Sequence, residues 1–130
     1  NNNTVRGFTI TRTLGGGENN IGVVVASGAT GSLITENVLT NNRTAVYLNG
    51  GTTQATISRN LIRNNRSGFV APDASYTGYV IEENNITANK TFGIIFTGSS
   101  TIDSSLVIRH NNISGNWVSQ LENNSGSVVN

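Results

Sequence analysis

The 130-residue sequence predicts an all-β solenoid, a single-stranded parallel β-helix. Three observations predict it. A short pattern, I-x-x-N-x-[I/L], recurs at Ile34, Ile57, Ile81 and Ile108. The apolar segments between its copies have no 3.6-residue period and are too short for helices. Gly, Asn, Ser and Thr dominate the composition and there is one proline, Pro72, so turn formers outnumber helix formers.

Each unit reads as three short β segments separated by turns. The first copy, "VRGFTI" from Val5, is degenerate and carries Phe8 where the asparagine belongs; Val128 has the phase of a sixth start. After the second aliphatic of each unit come a small residue and an apolar triplet: "AVYL" (Ala45–Leu48), "GFVA" (Gly68–Ala71) and "GIIF" (Gly93–Phe96). In the first copy the triplet is "GVVV" (Gly22–Val25), delayed by the insertion "LGGGENN" (Leu14–Asn20). A unit this small cannot bury its apolar side alone, so units must stack, about 4.8 Å apart, into about five coils.

Stacking turns equivalent positions into columns. Ile34, Ile57, Ile81 and Ile108 form one interior column and Leu39, Ile62, Ile86 and Ile113 a second. Val23, Val46, Phe69 and Ile94 form a third, with Val25, Leu48, Ala71 and Phe96 beside it. Asn37, Asn60, Asn84 and Asn111 fall at the bend between the first two strands. Asparagine suits that bend because it tolerates left-handed backbone angles, and stacked amides bond as a ladder. Asn42 lies in the outer turn, so truncating it is expected to cost much less than truncating Asn60.

The units resemble the parallel β-helix repeats of the right-handed, pectate-lyase-like superfamily, in particular degenerate "N-x-I-x-x-N-x-x-G-I" coils, over essentially the whole chain. The resemblance implies a right-handed helix. It also implies that an enzyme of this kind would carry clustered acids on one face, with calcium and a basic residue in the lyases. Lyases, hydrolases, epimerases, adhesins and tailspikes share the fold, so fold alone does not assign activity.

Composition bounds the remaining classes. Formal net charge is +1, which predicts no general attraction to nucleic acid or membrane. There is no cysteine, hence no disulfide framework or thiolate metal site, and no apolar run of membrane-spanning length. The chain starts without methionine, as a mature product or an excised piece would.

Acids are few: Glu18, Glu36, Asp73, Glu82, Glu83, Asp103 and Glu122. Glu36, Arg59, Glu83 and His110 share a column whose alternating sign reads as cross-coil pairing rather than an active site. His110 is a conceivable acid or base without a visible organising partner. Asp73 and Asp103 fall in neighbouring loops after the third strand. No catalytic, metal or cofactor site is expected.

A second column holds Arg43, Arg66 and Lys90, with Trp117 closing the row. Cations at coil spacing repel, and solvent, Glu18 or an anionic ligand would relieve them. An acidic polysaccharide fits along such a row, with Trp117 stacking on a sugar ring. The same residues lie in N-[R/K]-[S/T] triplets, which makes Asn42, Asn65 and Asn89 glycosylation sequons, although composition alone supplies about as many sequons as occur. Val24, Tyr47, Val70 and Ile95 are expected to face outward as an apolar stripe. The glycine-rich insertion is a candidate functional loop.

The expectations are therefore one β-helix domain over residues 1–130, read as a segment of a longer solenoid or a stacking subunit, without terminal caps. Its expected role is non-catalytic: a secreted or cell-surface module that is structural, fibre-forming or adhesive and binds carbohydrate on a side face. The alternative is a polysaccharide-active lyase, hydrolase or epimerase, or a segment of one. Expected partners are a polysaccharide and further coils, from end-to-end self-association or the same chain, with no nucleic acid and no membrane span.

Overall fold

The aliphatic columns fix how the coils stack. The computed structural model describes residues 2–12, 20–72 and 74–125, with 51–53 as backbone. All pairing between strands is parallel and links equivalent segments of successive units. The first wall consists of β1 (Thr4–Arg6), β4 (Thr30–Thr35), β7 (Gly51–Ser58), β10 (Ser75–Glu82), β13 (Thr101–Ile102) and β14 (Val107–Arg109). Both β13 and β14 pair with β10, interrupted by the turn at Asp103–Leu106. The second wall stacks β2 (Thr9–Ile10), β5 (Val38–Thr40), β8 (Leu61–Arg63), β11 (Asn85–Thr87) and β15 (Asn112–Ser114). The third stacks β3 (Ile21–Val25), β6 (Thr44–Leu48), β9 (Ser67–Ala71), β12 (Phe92–Phe96) and β16 (Ser119–Asn123).

From Val5 to Ile108 the chain thus completes about four turns, and β15 and β16 carry it into the next. The expectation of five coils was slightly high. The further start at Val128 lies outside the described residues.

Register follows the sequence columns. Val5 pairs with Ile34, Ile34 with Ile57, Ile57 with Ile81 and Ile81 with Ile108. In the second wall Ile10, Leu39, Ile62, Ile86 and Ile113 stack in the same way. In the third, Val23, Val46, Phe69, Ile94 and Leu121 do so. A one-residue slip would turn these side chains outward, so burial of the columns holds every coil in place. One part of the core is aromatic. Tyr76 meets Phe96 edge-on at 5.6 Å and Tyr79 at 5.9 Å, and the Tyr76 hydroxyl donates to the carbonyls of Leu48 and Pro72. That gives a buried phenol its polar partners.

The chain turns three corners per coil, and the first two carry an asparagine ladder. At the first, the Asn37 side-chain amide donates to Asn60 Oδ1 at 3.1 Å, Asn60 to Asn84 at 3.0 Å and Asn84 to Asn111 at 3.0 Å. Where Phe8 replaces asparagine, its backbone N–H still donates to Asn37 Oδ1, as the backbone N–H does at the other rungs, and only the side-chain donor is lost. The left-handed residue, however, is the one before the asparagine: Gly7, Glu36, Arg59, Glu83 and His110 all have φ between 54° and 76°. The expected left-handed asparagine is thereby corrected. The asparagine instead ties down a strained neighbour through its own bonds.

The second ladder was misread in sequence as an outer turn. Asn42, Asn65 and Asn89 are 5%, 0% and 1% exposed. Their amides donate from Asn42 to Asn65 at 3.2 Å, from Asn65 to Asn89 at 3.1 Å and from Asn89 to Asn116 at 2.8 Å. Asn41, Asn64, Ala88 and Gly115 supply the left-handed residues here. The Gln120 side-chain oxygen accepts from both the backbone and the amide nitrogen of Asn116, ending this ladder with a glutamine. Each Nδ2 of Asn42, Asn65 and Asn89 is engaged with neighbouring carbonyls as well. A glycan on any of the three would have to displace these bonds.

Candidate functional site: a basic edge at the second corner

The second ladder places one cation per coil on its solvent side. Each residue after a ladder asparagine bonds to the coil before: the N–H of Arg66 to the Asn42 carbonyl at 3.0 Å, Lys90 to Asn65 at 2.9 Å and Trp117 to Asn89 at 3.1 Å. Arg43, Arg66, Lys90 and Trp117 therefore form the row read from the sequence, as far as the backbone goes. Arg12, which the sequence reading missed, joins Arg43, Arg66 and Lys90 along a groove of about 410 Å³. Asn41, Asn64 and Ala88 line it between the cations.

A second groove, of about 460 Å³, lies against the third wall. Ile21, Tyr47 and Val70 line it together with Thr44 and Ser67, and Arg43 and Arg66 belong to both grooves. Trp117 lines neither and is 84% exposed. No described acid lines either groove. Like charges in contact cost about 1 kcal/mol per pair in water and less when long arms splay apart.

The apolar stripe on the third wall is present in register: Val24 pairs with Tyr47, Tyr47 with Val70 and Val70 with Ile95. It is not evenly open. Val24 is 51% exposed, whereas Ile95 is 8% exposed and thus covered.

The first corner is chemically different. Its left-handed residues pair across coils, Glu36 with Arg59 at 3.5 Å and Arg59 with Glu83 at 3.8 Å, and Arg6 adds a bond to Glu36 at 2.8 Å. Beside it Arg109 pairs with Glu82 at 2.8 Å. These pairs are solvent-exposed, worth about 0.2–1 kcal/mol each. Asp103 accepts from the Ser105 hydroxyl and from its N–H at 2.8 Å, and these two bonds hold its carboxyl below the usual range. It stays ionised and tied within its own turn. Among the described residues no three acids, histidines or cysteines come together at metal-binding distance. Glu18, most of the Leu14–Asn20 insertion and Asp73 lie outside the described residues. No helix among those residues is long and apolar enough to cross a membrane.

Parallel walls, in-register aliphatic columns and two amide ladders define a β-solenoid protein. The chain belongs to the right-handed beta helix region family, whose model matches residues 1–118. No curated protein and no solved structure matches it.

Proposed function

We propose that the chain is a non-catalytic, secreted or surface-exposed scaffold module that binds an acidic polysaccharide along its basic edge. The observation that supports this most is the groove shared by Arg12, Arg43, Arg66 and Lys90, one cation on each of four successive coils. Such a row matches a linear polymer with evenly repeated negative charge better than a small anion. Guanidinium groups bind carboxylates through paired hydrogen bonds, and three of the four cations are arginines. The acids Glu36 and Glu83 pair with Arg59 at the other corner, and no described acid lines the groove.

The test is retention on an immobilised acidic polysaccharide at low salt. The expected result is retention of the native chain, reduced by Arg66→Glu and abolished as salt shortens the screening length toward about 3 Å at 1 M. Absence of retention for the native chain, or retention indifferent to both Arg66→Glu and salt, would remove this reading.

A further inference from the structure

We infer that the two grooves form one binding site with two chemistries, and that Tyr47 is the residue that reads the sugar ring. The inference rests on the acidic-polysaccharide reading above and adds what distinguishes such a polymer from any other polyanion.

Arg43 and Arg66 line both grooves, so a cation-lined groove adjoins one that adds Ile21, Tyr47 and Val70. In the second groove Tyr47, partly exposed and paired in register with Val70, is the only aromatic among the described residues lining either groove. A pyranose carries a face of C–H groups, edge hydroxyls and, in an acidic sugar, one carboxylate. Its C–H face packs on an aromatic ring, its carboxylate suits a guanidinium, and the phenol hydroxyl offers a polar tip to the hydroxyls. Tyrosine gives that contact area at low entropic cost because only two torsions are frozen. A sugar ring is about as long as one coil is tall, ~4.8 Å, so successive rings keep step with successive cations. Trp117, the stacking residue expected from the sequence, stands outside both grooves. Tyr47 takes its place.

Three probes of matched charge number separate the possibilities: a 1,4-linked oligouronate, inorganic polyphosphate and a single-stranded oligonucleotide. Affinities are measured by calorimetry at low salt for the native chain, Tyr47→Ala, Tyr47→Phe and Tyr47→Leu, with thermal melts confirming that each variant is folded. The expected result is that the oligouronate binds most tightly. Tyr47→Ala and Tyr47→Leu should weaken it about 3- to 10-fold, the scale of a lost aromatic contact. Tyr47→Phe, which keeps the ring and loses only the hydroxyl, should weaken it less than either, and polyphosphate binding should be the same for all four proteins. Oligouronate and polyphosphate binding that are equal and indifferent to Tyr47→Ala would overturn the inference while leaving the basic edge intact. Failure of every probe to bind the native chain would overturn both. Tightest binding by the oligonucleotide would replace the sugar with a nucleobase and overturn the assignment.

Discussion

The Oδ1 of Asn60 accepts two hydrogen bonds from Asn37 in the preceding coil, one from its backbone N–H at 3.0 Å and one from its side-chain amide at 3.1 Å. Asn60 in turn donates to the carbonyls of Ile34 and Ser58 and to Asn84 Oδ1. Asn65 repeats the arrangement at the second corner, accepting from Asn42 and donating to Leu39, Arg63 and Asn89. Equivalent bonding predicts equivalent cost. Asn60→Ala and Asn65→Ala should each lose about 1–3 kcal/mol in urea unfolding, the penalty for stranding buried partners. A negligible loss at Asn65 would mean that the second ladder does not bear on stability.

The first ladder was legible because Asn37, Asn60, Asn84 and Asn111 sit inside the aliphatic pattern that marks each unit. The second repeats equally well, five residues further on at Asn42, Asn65, Asn89 and Asn116. It was overlooked because the basic residue and hydroxyl after the first three gave those asparagines a competing meaning as sequons. The doubled asparagines at 41–42 and 64–65 also hid which of each pair is buried. Arg12 escaped notice because the first copy is degenerate and an insertion follows it. The trio of Tyr76, Tyr79 and Phe96 was only partly visible: Tyr76 stacks with Gly51 and Ile102 and Tyr79 with Ala55, so no aromatic recurs in their columns to mark them in the sequence. Tyr47 was read as part of an apolar stripe, and only the placement of Arg43 and Arg66 beside it gives it a different meaning.

Glycine substitutions should have opposite signs at two positions. A Cβ built on Gly68 would lie 2.3 Å from the Gly93 carbonyl oxygen in the next coil, so Gly68→Ala should destabilise by about 1–3 kcal/mol. Ala88 is exposed and left-handed, with φ of 53°, where Gly115 stands one coil later. Relieving a penalty of about 1–2 kcal/mol outweighs the entropy glycine adds to the unfolded chain, about 0.4–1 kcal/mol. Ala88→Gly should therefore raise stability by about 0.5–1 kcal/mol. Thermal and urea melts of both variants decide it, and a loss at Ala88→Gly would contradict the corner geometry.

Arg59 stands between Glu36 and Glu83, but all three side chains are largely in water. Arg59→Gln should cost less than about 1 kcal/mol, with the difference vanishing in molar salt. A loss comparable to that of Asn60→Ala would show that charge pairing, rather than amide stacking, holds the first corner.

Expression in a glycosylating host separates buried from exposed sequons. In the folded fraction, mass spectrometry should find Asn42, Asn65 and Asn89 unmodified, because their amide nitrogens are spent in the ladder. Any glycan should sit at exposed asparagines such as Asn85 or Asn112. A cooperatively folded species modified at Asn65 would contradict the ladder at that corner.

The basic edge is tested most directly by NMR titration with acidic oligosaccharides of increasing length. The prediction is that backbone amide shifts concentrate at Arg12, Arg43, Arg66 and Lys90 while Glu36, Arg59 and Glu83 stay still. Affinity should rise with length until the chain spans the four coils, three spacings of about 4.8 Å. Shifts scattered over both corners, or an affinity that ignores length, would contradict binding along the stack.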